Sequence, residues 1–63
     1  MIALDSSAIA AVDYDATAGI LVVRFHTGRT YSHPGVPYTV FIELIQSSSP
    51  GRYYNSHIRG TYR

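Results

Sequence analysis

The chain has 63 residues, 46% hydrophobic and 14% charged, with a net charge of +1 and no cysteine. That length makes one small domain over residues 1–63 with a modest core, and the composition excludes a disordered polymer, a disulfide scaffold and a thiolate metal site. The N-terminus lacks a basic region followed by a long apolar core, and the densest apolar run, Val36 to Ile45, is interrupted by Pro37, Tyr38, Thr39 and Glu43, so neither a signal peptide nor a membrane span is expected and the expected location is cytoplasmic.

In chain order, Ile9 to Asp15 reads as a first strand, with Ile9, Ala11 and Asp13 on one face and Ala10, Val12 and Tyr14 on the other. Ala16-Thr17-Ala18-Gly19 reads as a turn, with Asp15 as a turn residue. Ile20 to His26 is the strongest strand signal, being short, β-branched and aromatic; its alternation groups Leu21, Val23 and Phe25. Thr27-Gly28 marks a tight hairpin, Arg29 to His33 returns as a third strand, and Pro34-Gly35 ends it. Pro37 suits the first turn of a helix, after which Pro37, Val40, Phe41, Leu44 and Ile45 fall on one face, with an end near Gln46 or Ser47. Ser49 as N-cap and Pro50 at the first helical position start a second, short helix to about Arg59, closed by Gly60. Tyr54 and Ile58 would share one face of it, and Asn55 and Arg59 a neighbouring one. Gly51 weakens that helix by roughly 1 kcal/mol relative to Ala unless close approach requires it. The expected fold is α+β: a three-stranded antiparallel meander, then a helix and a second short helix packed on one face.

Charge is unevenly placed. The first 23 residues carry Asp5, Asp13 and Asp15 and no base, whereas Gln46 to Arg63 carry Arg52, Arg59 and Arg63 and no acid. In that tail the arginines are interleaved with Tyr53, Tyr54, Asn55, His57 and Tyr62. Arginine suits phosphate, tyrosine suits base stacking, and asparagine suits base edges, so Arg52 and Arg59 are expected on phosphates, Tyr53 on a base and Asn55 at a base edge or the backbone. The plainer reading makes Tyr54 and Ile58 core, Asn55 a backbone partner at a turn and the arginines solvated. Every base is Arg and none is Lys, which fits a need for planar forked donors or a GC-rich genome.

A two-residue Thr27-Gly28 turn would pair His26 with Arg29 and Arg24 with Tyr31. One sheet face would then carry Arg24, His26, Arg29, Tyr31 and His33. Such a face is either a nucleic-acid platform or the ordinary solvated side of an antiparallel sheet. Ile20 and Val22 lie on it as well, which leaves room for a second copy of the chain. Tyr14 reads as half-buried core, and Tyr38 as a ring over the sheet edge.

Catalysis is not expected. No Gly-x-Ser-x-Gly elbow or Gly-rich phosphate loop occurs. Asp13 and Asp15 fall on one strand face about 7 Å apart, and His26, His33 and His57 lack zinc-site spacing. No cofactor or metal is expected.

Taken together, Ser7-Ala8-Ile9 leading to Val12-Asp13-Tyr14-Asp15, then Leu21-Val22-Val23-Arg24-Phe25, Gly28-Arg29-Thr30-Tyr31 and Val36-Pro37, with the tail Gly51-Arg52-Tyr53-Tyr54-Asn55 and Ile58-Arg59, resemble the KTSC domain family. These are small bacterial and phage proteins, also found as a C-terminal extension of some lysyl-tRNA synthetases. The family's central Tyr-x-Tyr is here Tyr31-Ser32-His33; if the second tyrosine stacks on a partner, His33 would take that place with less area. The synthetase fusion implies RNA binding. The expectation is therefore a non-enzymatic RNA-binding module, using Arg24, His26, Arg29, Tyr31, His33, Arg52, Tyr53, Asn55 and Arg59. The rival is a protein-interaction module, either a homo-oligomer or a domain docked on a larger nucleic-acid-processing enzyme, favoured by low charge and six tyrosines.

Overall fold

The computed structural model describes residues 1–62; Arg63, grouped above with the tail arginines, lies outside the described residues. Four antiparallel strands form one sheet in sequence order: β1 (Ile2–Ala3), β2 (Ile9–Asp15), β3 (Ile20–Phe25) and β4 (Thr30–His33). Helix α1 (Tyr38–Gln46) follows, then α2 (Pro50–Tyr53), which widens without a break into a π-helical turn (Tyr54–Ile58). The α+β class and the antiparallel meander stand as expected. The extra strand, β1, is two residues long and pairs Ile2 with Val12 and Ala3 with Ala11. A segment that short carries no readable alternation.

Both helices cover the same sheet face. Ile9, Val12, Leu21 and Val23 from the sheet meet Phe41 and Leu44 of α1, Val36 of the preceding loop, and Tyr54 and Ile58 of the π turn. Tyr14 extends this core as expected, half-buried, its ring stacked on Phe41 at 5.1 Å and its hydroxyl donating to the Val36 carbonyl at 2.7 Å. Tyr38 stays exposed, with its ring 5.8 Å from that of Tyr14. Pro37 does not enter the first turn of α1; with ψ 150° it caps the helix from outside and is exposed.

Two irregularities change which side chains share a face. In β2, Ile9 pairs with Phe25 and Ala11 with Arg24, so Ala10 is an extra residue. This bulge turns Ile9 onto the side of Val12, where both are fully buried. The expected grouping of Ile9 with Ala11 and Asp13 is overturned by it.

The β3–β4 hairpin is the second. Phe25 N–H donates to the Arg29 carbonyl at 2.8 Å, and Gly28 N–H to the Phe25 carbonyl at 2.9 Å. The loop is thus three residues, His26-Thr27-Gly28, with Gly28 at φ 94° in the manner of a turn closed by a glycine bulge. Arg24 therefore pairs with Thr30, Val23 with Tyr31, and Leu21 with His33. A slip of one residue moves a strand's side chains to the other face. Tyr31 and His33 lie on the helix-covered side, and Arg24 lies on the open side with Ala11 and Thr30. The single polar face expected for Arg24, His26, Arg29, Tyr31 and His33 does not form.

The β2–β3 turn and the β3–β4 hairpin sit at opposite ends of β3. Asp15 organises the first, its Oδ1 accepting from Thr17 and Ala18 N–H at 3.0 and 3.1 Å. Arg29 follows the second. The charge asymmetry of the sequence becomes, at these turns, a separation in space.

Candidate nucleic-acid interface

At the hairpin end a groove of about 510 Å³ opens between four segments. The loop before β2 contributes Ser7 and Ala8; the hairpin contributes Phe25, His26, Thr27 and Arg29; β4 contributes Tyr31 and His33; the π turn and its cap contribute Tyr54, Asn55 and Arg59. Among the described residues, the lining holds two arginines and no carboxylate.

Local hydrogen bonds fix two of its walls. Ser6 Oγ accepts from the N–H groups of Ala8 and Ile9, both at 3.2 Å, which shapes the loop. That loop is tied to the hairpin: His26 N–H donates to the Ala8 carbonyl at 3.1 Å, and His26 Nε2–H donates to the Ser6 carbonyl at 2.8 Å. Gly51 of α2 lies behind it, so close that a Cβ there would sit 3.2 Å from the Ala8 Cβ. Close approach is what this glycine supplies.

The floor is a run of aromatic rings in edge-to-face contact. Tyr31 meets Phe25 at 5.7 Å and 78°, Phe25 meets Tyr54 at 5.2 Å and 77°, and Tyr54 meets His33 at 5.4 Å and 64°. Tyr31 is 43% exposed and offers an open ring to the groove, whereas Tyr54 is 5% exposed. His33 is buried, and both of its ring nitrogens are engaged. Nδ1–H donates to the Tyr62 carbonyl at 2.7 Å, which leaves Nε2 to accept from the Tyr54 hydroxyl at 2.8 Å. His33 thus anchors the floor and cannot stack on a partner, contrary to the expected substitution for a second tyrosine.

Electrostatics follow the geometry. Burial pushes the Tyr54 phenol up, and the positive charge of Arg59 partly offsets this. Beside the Tyr31 hydroxyl, the exposed Arg29 guanidinium holds its proton more firmly than usual.

The groove gathers His26, Arg29, Tyr31, His33, Asn55 and Arg59 from the expected set, and leaves out three. Arg24 points to the opposite sheet face. Arg52 and Tyr53 line a separate shallow surface with His57 and the serines at 47–49 and 56. There Tyr53 is structural: its hydroxyl donates to Glu43 Oε1 at 2.7 Å, and its ring stacks on His57 at 4.3 Å and 14°. Burial, then the Glu43 carboxylate, pushes the Tyr53 phenol up to about 12. The tail expected to act as one surface is split because the helix presents Arg52, Tyr53, Ser56 and His57 to one side and Tyr54, Asn55 and Arg59 to another. Sequence reasoning missed Phe25 and Thr27 as groove residues, having only grouped Phe25 with Leu21 and Val23 by alternation, and gave the Ser6–Ala8 loop no role. Among the described residues there is no cluster of metal-ligating side chains and no helix long and apolar enough to cross a membrane.

The model of the KTSC domain family matches residues 5–62. A protein of Tsukamurella paurometabola is 40% identical over 60 residues, covering 95% of this chain and 90% of that protein. A lysine–tRNA ligase of Nostoc sp. is 34% identical over 59 residues, which is 94% of this chain but 10% of the ligase. The crystal structure of a KTSC domain protein from Yersinia pestis superposes with a TM-score of 0.93 at 28% identity, covering 97% of this chain and 86% of that one.

Proposed function

The chain belongs to the KTSC domain family, and from the groove built by this fold we propose that it is a small non-enzymatic module that binds RNA in the cytoplasm. The observation that carries the reading is the lining itself: Arg29 and Arg59 with no carboxylate, over an aromatic floor with an exposed Tyr31 ring. Arginine forks suit phosphate, and aromatic faces suit unstacked bases. A stretch like this chain within proteins named lysine–tRNA ligase supports the same class of ligand. The groove is poorly equipped for catalysis. Its aliphatic hydroxyls, Ser7 and Thr27, have no carboxylate beside them among the described lining residues, and the two histidines in the lining already spend ring nitrogens on structural bonds.

The test is an NMR titration of labelled protein with a mixed pool of short single-stranded RNA at low salt. Shifts at Tyr31, Asn55 and Arg59, reversed by salt and lost in Arg29→Ala/Arg59→Ala but kept in Arg52→Ala, are expected. A silent spectrum overturns the reading in favour of a protein partner, for which the exposed Tyr31 and Tyr38 rings are suitable anchors.

A further inference from the structure

We propose that the groove holds one unpaired nucleotide, its base against Tyr31 and its phosphate between Arg29 and Arg59; this rests on the RNA reading and sets its site size and strand state. The volume, about 510 Å³, lies within the range of roughly 300–1,000 Å³ usual for small organic ligands. It is small for a run of bases. Charge complementarity selects an anion, because the lining carries two guanidinium groups and no acid among the described residues. The aromatic floor selects a flat one. Only Tyr31 offers much free ring surface, since Phe25 is half-buried and Tyr54 is 5% exposed. One ring face accepts one base.

Neighbouring surface does not extend the site. Arg24 faces the other side of the sheet, and the Tyr53 ring and hydroxyl are taken by His57 and Glu43. Among the described residues, a strand leaving the groove finds no second Arg–Tyr pair in line. A base must leave its stack to reach Tyr31, so a paired duplex is excluded. Asn55, exposed at the rim, carries both a donor and an acceptor for the base edge. The His26 bonds to Ser6 and Ala8 hold the loop and hairpin in place before any ligand arrives, which lowers the ordering cost of binding.

The experiment titrates labelled protein with adenosine and uridine 5′-monophosphates, with single-stranded hexamers of A and of U, and with a blunt RNA duplex. The proposal expects the monophosphates and the hexamers to shift the same resonances around Tyr31, Asn55 and Arg59, and the duplex to shift none. Tyr31→Leu, which keeps an apolar side chain at an exposed position, should weaken hexamer binding roughly 5- to 150-fold, the weight of one base–aromatic stack. If the hexamers bind but their shifts spread over Arg52, Tyr53 or Arg24, or if the duplex binds equally well, RNA binding stands and the one-nucleotide site falls. If monophosphates shift the groove and no RNA does, the nucleotide site stands and the RNA reading falls. If neither shifts anything, both fall.

Discussion

Both ring nitrogens of His33 are committed, one to the Tyr62 carbonyl and one to the Tyr54 hydroxyl. His33→Leu would leave the buried Tyr54 hydroxyl without a partner, and it should cost about 2 kcal/mol of stability. Adding Tyr54→Phe removes the orphaned hydroxyl and should recover part of that loss. A double-mutant cycle by urea unfolding measures the coupling. Tyr53 gives a prediction in pH. Its phenol ionises near 10.0 in ordinary surroundings and at about 12 in the fold. The stability tied to this raised value is whole below the unfolded pKa and is lost as pH rises through the folded one. Melting temperature should therefore fall between about pH 10 and about pH 12, and less steeply in Tyr53→Phe. Asp15 and Tyr14 were legible in the sequence because their roles follow from immediate neighbours and strand parity. The burial of His33 was not, because it depends on a partner 29 residues away.

At the scale of elements, the bounds of β2 and the end of α1 are written in local composition, as is the start of α2 at Pro50. Register is not. Whether Thr27-Gly28 makes a two-residue or a three-residue loop depends on which backbone groups bond across the hairpin, and alternation is silent on that choice. Gly28 holds the observed register with a positive φ, although nothing lies within 4 Å of where its Cβ would be. Gly28→Ala should destabilise by about 1 kcal/mol through backbone strain alone, measurable by chemical unfolding. Gly51 behaves differently. Alanine there gains up to about 1 kcal/mol of helix propensity but presses on Ala8, whose carbonyl holds His26. Gly51→Ala should thus be near neutral alone and more favourable when combined with Ala8→Gly. Thermal unfolding of the four combinations checks this. The π turn was equally unreadable: the bond from Arg59 N–H to the Tyr54 carbonyl, 2.9 Å, spans one residue more than an α-helical bond, and the spacing of Tyr54 and Ile58 suits either geometry.

For the molecule as a whole, nine buried apolar side chains make the core, and a domain of this size has little stability in reserve. Ile58→Ala should cost roughly 2–5 kcal/mol, enough to populate the unfolded state at room temperature by circular dichroism. Binding to single-stranded RNA should follow a shallow salt law. One neutralised phosphate gives a log–log slope of about −0.7, and filter binding at several salt concentrations reads it. The two ends of β3 add a consequence of another kind. Asp13 and Asp15 lie toward one end, Arg24, Arg29 and Arg59 toward the other, with Asp5 the exception near the basic end, in a body of 28 × 21 × 21 Å. The charges flanking β3 thus form a local electric dipole. In the field of a polyanion it feels a torque before it feels much net force, within a screening distance of about 10 Å at 0.1 M salt. A domain with a charge of only +1 would then meet its partner already turned, groove first, and more of its collisions would be productive.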